Sequence, residues 1–391
     1  MDNLRYKPLN AFADLFNGYA FKSKNYVKNG IRVIRIANVQ DGYISDEKPC
    51  FYPADTAEDI SKYILRENDF LVSLTGNVGR VAILSSDFLP AALNQRVSCI
   101  RIKNDALIPK FLFYYFLRKQ FQKDCINASQ GVAQLNLSTK WLEQYPVPVL
   151  SIEEQKRIVA KIEELFSELD NGVETLKKTK QQLAVYRQAV LKESFGEIKE
   201  YIPLGKITVS RLGKMLDKEK NTGILQPYLR NINVRWFSFD LSDLLEMRIE
   251  PEENEKYSVT KGDLIICEGG EPGRCAIWEQ DETIFYQKAL HRVRFTDDSN
   301  PKFYMYYFWF AAQTGKLNPF FTGMGIKHLT GQSLVKVPVP TARKEEQDLI
   351  VQEIESRLSV CDSIEKTVDT ALQQAEAMRQ SILKKAFEGR L

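Results

Sequence analysis

The sequence predicts an α+β protein: two mixed α/β globules joined by two long antiparallel coiled-coil helices, with the whole chain forming a pseudo-twofold internal repeat. Three observations predict it. PVPVLSIEEQKRIV at Pro146 returns as PVPTARKEEQDLIV at Pro338, 192 residues further on in a chain of 391. NDFLVSLTGNVGRVAIL at Asn68 matches GDLIICEGGEPGRCAIW at Gly262 without a gap. The hydrophobic period changes from 2 before each P-V-P to 3.5 after it. Two copies of one long unit are a duplication and not a solenoid, and that fixes the architecture before any single element does.

The copies align from end to end. VIRIANV at Val33 faces YLRNINV at Tyr228, sharing Arg35/Arg230 and Asn38/Asn233. The gapless stretch matches Asp69/Asp263, Gly76/Gly270, Gly79/Gly273, Arg80/Arg274, Ala82/Ala276 and Ile83/Ile277. Gln95-Arg96 then faces Gln287-Lys288, and PKFLFYYF at Pro109 faces PKFYMYYF at Pro301. Gly131/Gly323, Leu137/Leu329 and Arg187-Gln188/Arg379-Gln380 continue the register. Short Val- and Ile-rich runs broken by glycine turns, followed by an aromatic helical run, make each first part a mixed α/β globule. The boundaries read from this are 1–150 for the first globule, 151–196 for the first helix, 197–342 for the second globule and 343–391 for the second helix.

After each P-V-P the apolar residues fall on a coiled-coil spacing. In the first copy these are Ile158, Ile162, Leu165, Leu169, Leu176, Leu183, Tyr186 and Val190, with Gly172 and Thr179 filling the gaps. In the second they are Ile350, Ile354, Cys361, Ile364, Val368, Ala371, Ala375, Met378 and Ile382. Ser151 and Glu154 form a capping-box pair, and the prolines upstream stop the helix from growing backwards. A rod from Ser151 to Phe195 would be about 65 Å long at 1.5 Å per residue. One apolar stripe on so long a helix needs a partner, and the other copy's rod is the obvious one. Antiparallel packing then puts the globules at opposite ends, as in a dumbbell.

Composition narrows the class. With 44% hydrophobic residues the chain can fill a core in each globule. The opening MDNLRYKPLNAF lacks a charged-then-apolar signal pattern, and the longest apolar runs, at Phe111 and Phe303, fall short of the ~20 residues a bilayer needs. A cytoplasmic protein without membrane contact is expected. The six cysteines form no C-x-x-C pair and there are two histidines, so no metal site is read and the thiols are expected as reduced core residues. A net charge of +3 does not by itself identify a nucleic-acid binder, although residues 1–150 hold 19 Lys/Arg against 14 Asp/Glu.

The ordered set GNVGRVAIL, GVAQLNLS and IEEQKRIVAKIEELF, with GGEPGRCAIW, GIKHLTGQSL and RQSILKKAFEGRL in the second half, resembles the specificity subunits of Type I restriction-modification systems over essentially the whole chain. TARKEEQ departs from that pattern, which usually has leucine and proline before the glutamate. The resemblance implies a non-catalytic subunit with two target-recognition domains, each reading half of an asymmetric bipartite DNA site. The helices would set the spacer and bind two methyltransferase subunits, with restriction/translocase subunits joining that core. No cofactor is assigned to this chain: S-adenosylmethionine and ATP belong to the partners.

Candidate DNA contacts follow. Arg80 and Arg274 sit at equivalent glycine turns, where an arginine can meet phosphate or fork onto guanine, or else serve as a structural residue. Gln95, Arg96, Gln287 and Lys288 follow apolar runs and can project into a groove. Asn77, Gln134, Asn136, Lys327 and His328 lie in polar loops, and a solvated surface role competes for each. The apolar positions of the rods are candidates for both the helix-helix and the methyltransferase interface. The aromatic runs read as core rather than base-stacking platforms.

The catalytic alternative is weak. NPFF at Asn318 resembles an adenine-gripping N-P-P-[YF] tetrapeptide but has Phe320 where the second proline belongs. GNVGR and GEPGR lack the Lys-Ser/Thr of a phosphate loop. The rival from another class is a coiled-coil adaptor whose globules bind proteins.

Overall fold

The computed structural model describes residues 5–55, 60–103, 105–131, 134–217 and 221–391. Two compact units form, residues 1–176 with 370–391, and residues 177–369. Each therefore takes its own globule and part of both long helices. The helices run Ile152–Gly196 and Lys344–Phe387.

Each unit is built around a four-stranded antiparallel sheet. In the first its order is Ala13–Asn17, Val97–Ile102, Phe70–Ser73, Val81–Ile83, and in the second Thr208–Leu212, Leu290–Phe295, Leu264–Cys267, Cys275–Ile277. Phe70–Ser73 and Leu264–Cys267 are buried at every residue, as expected of central strands covered on both faces. A smaller mixed sheet lies beside each, containing the parallel pairs Ile31–Ile34 with Ala91–Leu93 and Ile224–Leu229 with Ile284–Tyr286. Asp69 and Asp263, matched in the repeat, are buried and each holds a bidentate arginine, Arg101 or Arg294.

The P-V-P segments do more than start a helix. Pro146–Pro148 pairs with Tyr6–Pro8, and Pro338–Pro340 with Tyr201–Pro203, as two-stranded ribbons. Proline, lacking an N–H, is tolerated in such short edge ladders. The E-E-Q that follows divides its work. Ser151 N–H donates to Glu154 Oε2 at 3.1 Å and Glu154 N–H returns a bond to Ser151 Oγ at 3.3 Å, so the capping box is present. In the second copy Glu346 accepts from Arg343 N–H at 3.1 Å. The buried Gln155 accepts from Ile108 N–H at 2.9 Å and donates to Ala106 O, while Gln347 accepts from Asn300 N–H at 2.8 Å. Each glutamine thus fastens the entry to the aromatic helix, Pro109–Phe116 or Pro301–Gln313, to the first turn of its rod. Those aromatic runs are core as expected, with Phe111, Phe116, Phe303 and Phe308 fully buried. Cys99, Cys125, Cys267, Cys275 and Cys361 are buried and unpaired.

The two long helices meet antiparallel within the second unit: Lys180 pairs with Asp369 at 2.8 Å, Arg187 with Asp362 at 2.7 Å and Glu193 with Arg357 at 2.8 Å. Within the first unit Asp170 pairs with Arg379, and Ile158, Ile162 and Phe166 share a core with Ile382, Leu383 and Phe387.

The expected seam positions divide by burial. Ile162, Leu183, Val190, Ile354, Cys361, Val368, Ala375 and Ile382 are buried, and Leu165, Leu169, Leu176 and Ile350 half-buried. Tyr186, Ile364 and Met378, however, are exposed at 43%, 40% and 53%. Every seventh residue faces inward as read, but the alternate layer sits one position later. It comprises Phe166, Val173, Lys180, Arg187 and Ser194 on one helix and Leu358, Glu365, Leu372 and Arg379 on the other, all at least half-buried. Charged residues hold inward positions there because their partners arrive from the opposite helix: Arg187 lies 2.8 Å and Lys180 3.4 Å from Glu365. Among the described residues no helix is long and apolar enough to cross a membrane.

Candidate nucleic-acid interface

In the first unit three loops meet at one end of the antiparallel sheet. Leu74–Arg80 leaves the strand Phe70–Ser73, Asn94–Arg96 precedes the strand Val97–Ile102, and Gln134–Leu137 follows the helices. Main-chain bonds join them: Leu74 N–H donates to Arg96 O at 3.0 Å, Leu137 N–H to Leu74 O at 2.8 Å and Gly76 N–H to Leu135 O at 2.8 Å. Thr75 Oγ1 donates to Asn136 Oδ1 at 3.1 Å. The second unit repeats the junction, with Glu268 N–H on Ala289 O at 2.9 Å and Leu329 N–H on Glu268 O at 2.7 Å. A Cβ on Gly269 would stand 3.1 Å from the His328 ring, so the histidine lies directly over this turn.

The sequence-predicted candidates are thus gathered into one loop cluster per unit. Asn77, Gln95, Arg96, Gln134 and Asn136 are exposed in the first, and Lys288, Lys327 and His328 in the second, while Gln287 is half-buried.

Arg80 and Arg274 sit differently. Arg80 donates to Gln40 Oε1 at 2.8 Å. Arg274 donates to Glu271 at 2.9 Å and to Asn231 O at 3.0 Å, leaving its side chain 16% exposed. Their Nε atoms are buried without a partner, as are those of the repeat-matched Arg35 and Arg230. All four guanidiniums tie loops together: Arg35 reaches Lys48 O at 2.8 Å and Arg230 Asp243 O at 2.7 Å. Of the two readings open for Arg80 and Arg274, the structure gives both a clamping geometry.

A fourth segment of the cluster escaped the sequence reading. Gln95 N–H donates to Tyr19 O at 3.0 Å, and Lys288 N–H to Lys214 O at 2.7 Å. The preceding glycines permit this approach, since a Cβ on Gly18 or Gly213 would lie 2.2 Å from Asn94 or 2.3 Å from Gln287. A signal existed, because Gly18/Gly213 share the offset of Arg35/Arg230. The Lys214 ammonium is taken up by Glu250 and Glu253. Burial pulls its pKa down, but the two carboxylate hydrogen bonds outweigh burial and leave it above the ordinary lysine value. Glu250 is correspondingly held down to about 2, chiefly by its bond from Lys214.

NPFF falls at the turn that ends the second aromatic helix, where Phe320 packs against the core of the second unit. That is a packing role.

The family model described as Type I restriction modification DNA specificity domain matches residues 1–184 and 205–374. The specificity subunit of the Type I restriction enzyme EcoBI of Escherichia coli is 28% identical, over 98% of this chain and 85% of that protein. The EcoKI specificity subunit of Escherichia coli K12 is 24% identical, over 98% and 88%. In fold, the chain superposes with a TM-score of 0.76, at 17% identity and full coverage of both chains, on a chain from a structure concerning complex assembly and conformational transition of the type I R-M system. The HsdS subunit of Thermoanaerobacter tengcongensis gives 0.59, again at 17% identity, over 99% of this chain and 97% of that one. With both repeats matched by the family model, the chain belongs to the Type I restriction-modification DNA specificity family and is a non-catalytic, DNA-recognising component.

Proposed function

We propose that each unit reads one half of an asymmetric bipartite DNA site through its loop cluster. The carrying observation is that the same three-loop junction is built twice in one chain on different side chains. The first cluster offers Asn77, Gln95, Arg96, Gln134 and Asn136, and the second Gln287, Lys288, Lys327 and His328. Asn and Gln suit adenine edges and Lys and Arg suit guanine or phosphate, so unlike clusters fit unlike half-sites. Arg80 and Arg274 serve by holding the turns that present these groups.

In this reading the long helices set the unread spacer and carry two methyltransferase subunits, whose S-adenosylmethionine is theirs, while ATP belongs to the restriction/translocase subunits. Tyr186, Ile364 and Met378, left exposed by the helix pairing, are available to such partners, while the buried seam residues hold the helices to each other. The setting is cytoplasmic, where chromosomal DNA is met.

The test is to map N6-methyladenine across the host genome in the presence and absence of this gene. A bipartite asymmetric motif that vanishes with the gene is expected. Inserting seven residues into each helix preserves the seam's repeat and adds about 10 Å of rod, so the unread spacer should lengthen. A methylation pattern indifferent to the gene would instead favour a coiled-coil adaptor that binds only proteins.

A further inference from the structure

Resting on that DNA-reading role, we propose that Thr322–His328 of the second unit is a wedge, whose Met324 and Ile326 enter one base-pair step of the half-site this unit reads. Met324 is fully exposed at 109% and Ile326 is 73% exposed. They project from a closed stem, with Thr322 N–H on His328 O at 2.8 Å and His328 N–H on Thr322 O at 2.9 Å. Gly323 sits at φ +95°, and a Cβ there would lie 2.3 Å from Ile326 O, so the tight closure requires glycine. The next residue, Leu329, anchors the stem to Glu268 at 2.7 Å. A fixed base therefore carries an apolar tip.

The surroundings point to DNA as the occupant. Lys327, with its ammonium 5.9 Å above the Phe321 ring, and His328 flank the tip, and Ala289, next to Lys288, bonds the same Glu268 that anchors the stem. The carboxylate of the neighbouring turn, Glu271, is taken up by Arg274 at 2.9 Å and by Trp236 Nε1 at 2.7 Å. Two apolar side chains fall well short of the ~800 Å² per partner that a stable protein interface buries. They match the Met, Ile, Leu or Phe wedges that unstack a single base step and kink the duplex. In the first copy the corresponding residues are Val132, Ala133 and Gln134, of which 132 and 133 lie outside the described residues. Gln134 in place of Ile326 makes the two halves unequal, so the distortion belongs to the second unit's half-site.

The experiment uses the chain assembled with its methyltransferase subunits and a duplex bearing the genome-mapped site, with 2-aminopurine placed in turn at each step of both half-sites. Apart from the methylated adenines, whose bases the methyltransferases flip out of the stack, wild type should raise fluorescence severalfold at one step of one half-site. The double variant Met324→Ser, Ile326→Ser, with unchanged melting, should lose that rise and bind about tenfold more weakly, recovering on a duplex already abasic at that step, where the unstacking cost is removed. Met324→Leu should keep the rise. A rise that survives in the double variant, or no rise in the wild type despite sequence-selective binding, overturns the wedge while leaving DNA reading intact. A double variant that fails to assemble with methyltransferase subunits assigns the tip to a protein contact instead. Absence of any sequence selectivity in the wild type removes the DNA-reading role and the wedge together.

Discussion

The ring of Phe387 lies 5.3 Å from that of Phe111, edge to face, and 5.1 Å from Tyr115. The end of the second long helix thereby plugs the aromatic core of the first globule. Phe195, its repeat equivalent, does the same in the second unit, 5.4 Å from Phe303 and 5.6 Å from Tyr307. Phe387→Ala should therefore cost about 3 kcal/mol or more, as large-to-small core changes do. Hydrogen exchange should show the loss concentrated in residues 1–176 with 370–391. Protection unchanged in that unit would refute the role given to the helix end.

The charged layer makes a second prediction. Arg187→Glu would face Asp362 and Glu365, two acids that now bind its guanidinium. A destabilisation of about 1 kcal/mol is expected, since these groups are partly solvated and screened. Adding Glu365→Arg should restore part of it, and the coupling should shrink in 1 M salt, where the Debye length is about 3 Å. Additive effects in the double-mutant cycle would contradict the antiparallel register.

Acid sensitivity should be traceable to His291. The ring is buried, and its Nε2 donates to Leu329 O at 2.9 Å, beside the stem of the loop cluster. Burial lowers its pKa below the ordinary 6.5, despite the opposing influence of that hydrogen bond and of Glu268. The unfolded chain therefore takes up a proton at a pH where the folded chain does not. Stability conferred by the neutral ring is fully present above about 6.5 and declines as pH falls below it, by at most about 1.4 kcal/mol per pH unit. His291→Gln should flatten the melting temperature between pH 7 and 5.5 relative to wild type; equal slopes would count against it.

Lys288→Ala and Lys327→Ala should each weaken binding of the assembled complex to its DNA roughly uniformly across sequences. Each should also reduce the slope of log affinity against log salt by about 1. Titrations at several salt concentrations measure this. A change in preferred sequence with an unaltered slope would make that lysine a base reader.

Much of this was decided locally and therefore legible in the sequence. The duplication, the capping box at Ser151 and Glu154, the helix starts and the every-seventh-residue stripe depend on residues close along the chain, and two copies sample each pattern twice. The buried aromatic runs were equally plain, because a dense apolar helix has nowhere else to go. What the tertiary structure alone decided are the features that depend on partners distant in sequence. Ile364 and Met378 look like seam residues until Glu365 and Arg379 find Arg187 and Asp170 on the facing helix, since a paired charge can occupy an inward position that an unpaired one cannot. Arg80 and Arg274 look free at their glycine turns until Gln40 and Asn231 reach them. The loop cluster exists because main-chain groups near residues 19, 75, 95 and 136 satisfy one another, a long-range pairing that carries no period.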